Sequence, residues 1–218
     1  MTKLRKEDGE ELRSSLSKLA NLRSLDILSS EEEEYIDLEY LLSPSALQFL
    51  RYLGLHGRLE RIPQWIGSLN ALTTLLLRWS RLQEDPLQYI RSLPNLQSLN
   101  LECTYEGQEL NFKAGVFQRL HILVLSRLRV LKWVRMEKGS MPFVHNVTVA
   151  GCKSMVEMPV GIEHLKNLKY VEFTDMAEEF VDGLIDEKRK GSDQWKLAHV
   201  PVVRIVNWVN GEWKVRLL

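Results

Sequence analysis

The chain has only two cysteines in 218 residues, Cys103 and Cys152. They form no metal-spaced cluster, and they suggest a reducing compartment rather than a disulfide scaffold. No stretch approaches the roughly 18 consecutive apolar residues that a membrane-spanning helix needs. The opening MTKLRKEDGEEL is charged where a secretory signal would be apolar. A surplus of either charge is also missing. The 29 Lys and Arg residues balance 29 Asp and Glu residues, which removes the electrostatic case for nucleic acid or an anionic membrane as partner. Catalytic signatures are lacking too. Gly151-Cys152-Lys153-Ser154 has neither the leading glycine nor the tail of a phosphate-cradling loop, and no nucleophile elbow or Cys-His arrangement occurs. The five histidines, His56, His121, His145, His164 and His199, are scattered. His121 and His145 are expected to be neighbours one period apart, but no third metal ligand accompanies them. The expectation is a non-enzyme without cofactor or metal.

What the chain does have is repetition. Seven copies of the frame apolar-x-x-apolar-x-x-apolar-x-apolar run from Leu19-Leu22-Leu25-Ile27 to Leu165-Leu168-Val171-Phe173. The third apolar residue of each copy falls at 25, 53, 75, 99, 123, 147 and 171, so the last five copies keep a 24-residue period. A fixed period of about 20 to 29 residues is the mark of a leucine-rich repeat. The closing apolar-x-apolar step has period 2, which puts both apolar side chains on one face of a short strand. One such strand cannot bury that face alone, but a neighbouring copy at roughly 4.8 Å can cover it and pair its backbone. The predicted fold class is an α/β repeat solenoid, a horseshoe with a parallel sheet on the concave side and irregular helical or turn return segments.

Return anchors are visible as Leu59, Ile62 and Ile66; Leu82, Leu87 and Ile90; Leu110 and Phe112; Leu128, Leu131 and Val134; and Met155, Met158 and Ile162. Pro63 and Pro159 sit where the chain must turn. At the position where a repeat's Asn or Cys side chain satisfies loop backbone, the chain reads Ser30, Arg58, Ser80, Thr104, Leu128, Cys152 and Met176, of which Cys152 alone fits well. The solenoid is assigned to residues 1–175 and a closing helix and β-hairpin to residues 176–218. In the latter, Met176, Phe180, Val181 and Leu184 share a helical stripe, Lys188 to Lys190 close it, and Asn210-Gly211 is a hairpin turn signal. Leu12, Leu16 and Leu19 read as a return half lacking its own strand. The chain is therefore expected to start in mid-coil, with an N-terminal neighbour lost or supplied by a partner. Residues 1–45 hold 6 basic and 11 acidic residues, and the run Glu31 to Glu34 reads as a solvated loop inserted where the repeat stretches to 28. The sequon Asn146-Val147-Thr148 lies on a core strand and is read as accidental.

A solenoid of this kind offers a surface rather than a pocket. Its outward central stripe is Asp26, Gly54, Leu76, Asn100, Val124, Thr148 and Glu172, flanked by Ser24, Tyr52, Thr74, Ser98, Ile122, Asn146 and Tyr170. Aromatic and Arg residues dominate interface energetics. The candidate protein-binding residues are therefore Tyr52, His56, Arg78, Trp79, Asn100, Glu102, Arg127, Tyr170 and Glu172.

The run GRLERIPQWIGSLNALTTLLLRWSRLQEDPLQYIRSLPNLQSLNL, with GQELNFKAGVFQRLHILVL, GCKSMVEMPVGIEHLKNLKYVEF and DMAEEFVDGL, resembles the C-terminal leucine-rich repeat region of plant coiled-coil NLR disease-resistance proteins. The resemblance covers essentially the whole chain. It implies a cytoplasmic recognition and autoinhibition module of innate immunity. The implied partners are proteins: a pathogen effector, a guarded host protein, or an NLR nucleotide-binding domain. The coiled-coil and nucleotide-binding domains themselves are not in this sequence, so nucleotide binding and resistosome assembly do not carry over. A regulator or decoy acting in trans on a nucleotide-binding domain is one alternative. A secreted polygalacturonase-inhibitor-like protein is another, although it would need a signal peptide and capping cysteines.

Overall fold

The computed structural model describes residues 3–4, 14–16, 18–19, 21–29, 35, 38, 47–185 and 193–218. The Glu31 to Glu34 run, Ser30, Leu12 and the Lys188 to Lys190 segment lie outside them. Each of the seven frames forms a strand at its apolar-x-apolar step. These strands are β2 (Ser24–Ser29), β3 (Tyr52–His56), β4 (Thr74–Arg78), β5 (Ser98–Glu102), β7 (Ile122–Ser126), β9 (Asn146–Ala150) and β10 (Tyr170–Thr174). They are parallel and in register, so that Leu53, Leu75, Leu99, Leu123, Val147 and Val171 stand side by side. Every one of those six is fully buried. Outward neighbours such as Thr74, Leu76, Ser98 and Asn100 are half-buried, which is the alternation that period 2 requires.

The sheet extends beyond the seven frames at both ends. β1 (Lys3–Leu4) pairs parallel with β2, so the return half at Leu16 is preceded by a strand of its own. At the other end β11 (Val202–Val209) pairs parallel with β10, and β12 (Glu212–Leu217) returns antiparallel. Asn210 and Gly211 join the last two with φ of 52° and 84°. Both positive angles belong to the two-residue turn whose twist matches a hairpin. The ten-stranded sheet is completed by a two-stranded parallel ladder of β6 (Glu109–Phe112) and β8 (Trp133–Met136) on the return side. Return segments elsewhere are short helical turns such as Gln64–Ser68, Leu87–Ile90 and Ile162–His164.

All the named return anchors are buried, and with the strands they form one continuous core. Only the first frame is loose: Leu19 is 46% exposed and Leu22 is partly buried. Trp65 Nε1 donates to Leu38 O at 2.9 Å, joining the third coil to the fully buried Leu38. Helix Glu178–Ile185 buries Phe180 and Leu184, with Phe180 tilted against Phe173 at 4.8 Å between ring centroids.

The interior ladder differs from the expectation in one respect. Thr104, not Cys152 alone, serves it: its Oγ1 donates to Leu77 O at 2.6 Å from a fully buried position. Cys152 Sγ lies 3.9 Å from Leu125 O, a weaker contact. A hydroxyl one atom from Cβ is a better donor than a thiol, and Thr104 reaches the carbonyl equivalent to the one that Cys152 approaches, 27 residues earlier in each case. Ser80 Oγ is buried without a partner.

Candidate protein-binding face

The face is shaped by how the chain leaves each strand. The residue after β4, β5, β7, β9 and β10 is Trp79, Cys103, Arg127, Gly151 and Asp175, and all five have left-handed φ between 48° and 63°. Each donates its N–H to the next coil, for example Trp79 N to Glu102 O at 2.9 Å and Arg127 N to Ala150 O at 2.7 Å. The ladder therefore continues through the turn while the side chain swings off the strand onto the rim. Holding a bulky residue there costs roughly 1 kcal/mol, offset by the bond that the turn preserves.

Two groups of candidate residues assemble. In the first, His56 is buried and its Nε2 lies 2.8 Å from Asp26 Oδ1. Asp26 reaches across Gly54, where a Cβ would stand 2.1 Å from that same oxygen and 3.0 Å from Tyr52 Oη. Glycine in this strand is thus what permits a close approach. Burial, and then Asp26, push the Tyr52 phenol above its ordinary pKa against the opposing pull of Arg78, so it stays neutral. Trp79 lies edge-on to His56 at 6.3 Å, with the Arg78 guanidinium 5.9 Å from its ring centre. Glu102, whose side chain is 13% exposed, accepts from Arg78 Nε at 2.7 Å and from Arg127 Nη1 at 3.3 Å. Three successive coils are bridged by that one carboxylate.

The second group lies two coils away. Tyr170 donates to Glu172 Oε2 and accepts from Arg204 Nη1 at 2.9 Å, while Arg204 also pairs with Glu172 at 3.1 Å. Burial, then the bond to Glu172, raise the Tyr170 phenol above its usual value. Asn100 joins neither group. It is half-buried between Leu76 and Val124, and its Oδ1 has no hydrogen-bond partner.

The set chosen from sequence omitted several contributors. Asp26 and Gly54 were in the central stripe, and a lone glycine inside a strand is itself a signal of close approach. Arg204 sits 32 residues after Glu172, outside the 24-residue frame, so periodicity does not reach it. Trp208 and Trp213 pair across the hairpin at 5.1 Å and are 54% and 55% exposed. Strand alternation places them on Arg204's face of the sheet.

His121 and His145 do stand together, their rings stacked at 5.3 Å. Burial, then Lys169 and His121, lower the His145 pKa, so the neutral ring is favoured. Among the described residues no group of three or more His, Cys, Asp or Glu could hold a metal ion. No helix among them is long and apolar enough to cross a membrane.

Parallel strands one coil apart, a core filled by the repeat's apolar residues and an open outward row together define a leucine-rich repeat solenoid. The family model described as a leucine-rich repeat region matches residues 1–188, and the chain belongs to that family. It is 34% identical over 202 residues to the disease resistance protein RPM1 of Arabidopsis thaliana, covering 92% of this chain and 21% of that protein. It is 30% identical over 201 residues to the Arabidopsis disease resistance protein RPP8, covering 91% of this chain and 22% of that protein. The chain thus spans about a fifth of the length of the curated relatives it matches.

Proposed function

We propose that the chain is a non-catalytic recognition module of plant immunity that acts in the cytoplasm and binds a protein through the outward face of its sheet. The partner would be a pathogen effector, a guarded host protein or a nucleotide-binding domain. The supporting observation is the group built from Tyr52, His56, Arg78, Trp79, Glu102 and Arg127. Residues of the types that dominate interfaces are drawn from separate coils, and the His56–Asp26 hydrogen bond and the Arg78–Glu102 and Arg127–Glu102 ion pairs tie those coils together before any partner arrives. The disease-resistance names of the relatives point the same way. The test is affinity for a partner captured from challenged plant tissue. Tyr52→Ala or Arg78→Ala should weaken binding by about 1 to 3 kcal/mol. Unchanged affinity across all strand-face variants would reject the proposal.

A further inference from the structure

Just beyond the ends of β4, β5 and β7, the rim opens into a cleft of about 570 Å³. Trp79, Arg81, Cys103, Tyr105, Arg127 and Arg129 line it. We propose that this cleft receives an anionic side chain, carboxylate or phosphate, from the protein partner. The inference rests on the reading of the sheet face as a protein-binding surface, and it adds the chemistry of what is bound.

The charge balance carries it. Three guanidiniums face the cleft in a chain whose net charge is zero. The carboxylate lining it, Glu106, is engaged by the neutral amide of Gln83 at 2.8 Å. Arg127 shares its carboxylate, Glu102, with Arg78, which binds more closely. Arg129 forms no ion pair among the described residues. The lining thus sets three guanidiniums against one carboxylate, Glu106, whose charge the neutral amide does not cancel, and its wall is aromatic. Arg81, Cys103 and Arg127, like Trp79, have left-handed φ, so the same turns that build the rim aim these side chains into one space. The Cys103 thiol is raised above its ordinary pKa by burial and then by Glu102, and Arg127, Arg129 and Arg81 pull against that rise, which places all three guanidiniums near it. Planar guanidiniums with five donors each suit carboxylate and phosphate, and Trp79 and Tyr105 supply flat apolar walls for the stem of such a side chain.

Fluorescence anisotropy with a labelled hexaglutamate peptide, and with a phosphoserine peptide of equal length, tests the assignment on the whole chain. Either peptide should bind, the tighter one identifying the anion, and affinity should fall several-fold from about 50 to 200 mM salt. Arg129→Glu should weaken binding about tenfold, Arg81→Gln severalfold, and the return-side control Lys132→Glu less than twofold. Failure of both peptides to bind, or equal losses from Arg129→Glu and Lys132→Glu, overturns the proposal. If Tyr52→Ala weakens capture of the natural partner while Arg129→Glu does not, the cleft assignment falls alone. If neither variant weakens it, the reading of the face falls as well.

Discussion

Leu123 and its neighbour Ile122 offer a test of the strand face assignment within a single dipeptide. Leu123 has no exposed surface and stands in register between Leu99 and Val147, whereas Ile122 is 41% exposed on the opposite face. Truncating a buried leucine removes its transfer free energy and leaves a cavity, about 2 to 5 kcal/mol together. Because each coil of a solenoid touches only its neighbours, the cavity at Leu123→Ala is shared by three coils whose own residues are fixed in the ladder. A cost of about 3 kcal/mol is expected, a large part of the roughly 5 to 15 kcal/mol that holds a domain together. Ile122→Ala loses a half-solvated side chain and some strand propensity, roughly 1 kcal/mol or less. With a urea m-value of about 2 kcal/mol/M, the two midpoints should differ by about 1 M. Equal midpoints, or a larger loss at Ile122, would refute the inward and outward partition on which the binding face depends.

Four further outcomes follow from the same geometry. A double-mutant cycle in urea should give about 1 kcal/mol of coupling for Arg78 with Glu102 and a few tenths for Arg127 with Glu102, since the Arg127 side chain is 65% exposed and screened; a larger Arg127 value contradicts the shared-carboxylate picture. Gly54→Ala should displace Asp26 and remove its contact to His56, visible as a changed His56 ring signal in NMR. Gly161→Ala should destabilise by about 2 kcal/mol or more in thermal unfolding, because φ is 87° and the new Cβ would lie 2.0 Å from Met136 O. Burial pushes the Cys152 thiol from 9.0 up to about 11. Between these values the folded chain holds the thiol proton and the unfolded chain has released it, so stability falls as pH rises, by up to about 1.4 kcal/mol per pH unit. The difference between wild type and Cys152→Ser in urea titrations across that window measures it.

The repeat was legible because burial imposes one residue class on the same four positions of every coil. That regularity sets the register of the seven frame strands, β2, β3, β4, β5, β7, β9 and β10, and all the return anchors named from it are in the core. Legibility declined where the period breaks. Thr104 reads as an imperfect Asn or Cys substitute, yet its hydroxyl reaches the loop carbonyl. β6 and β8 read as anchors of turns, although the period 2 of Glu109–Phe112 was available to mark a strand. The face was harder. Register put Tyr52 near Arg78, but the ion pairs that join Glu102 to two arginines depend on rotamers and on left-handed turns at Trp79 and Arg127, which residue type alone does not signal. Arg204 entered the second group through a 32-residue spacing that the frame does not contain.

Site-specific photo-crosslinking tests the central claim most directly, because the molecule supplies a matched pair of positions. Ile122 on the outward face of the ten-stranded sheet and Trp133 on the return ladder are 41% and 40% exposed. A photoreactive residue at 122 should trap the bound protein, and one at 133 should leave it free. Crosslinking from 133 with none from 122 would place the partner on the opposite side of the coil and contradict the account.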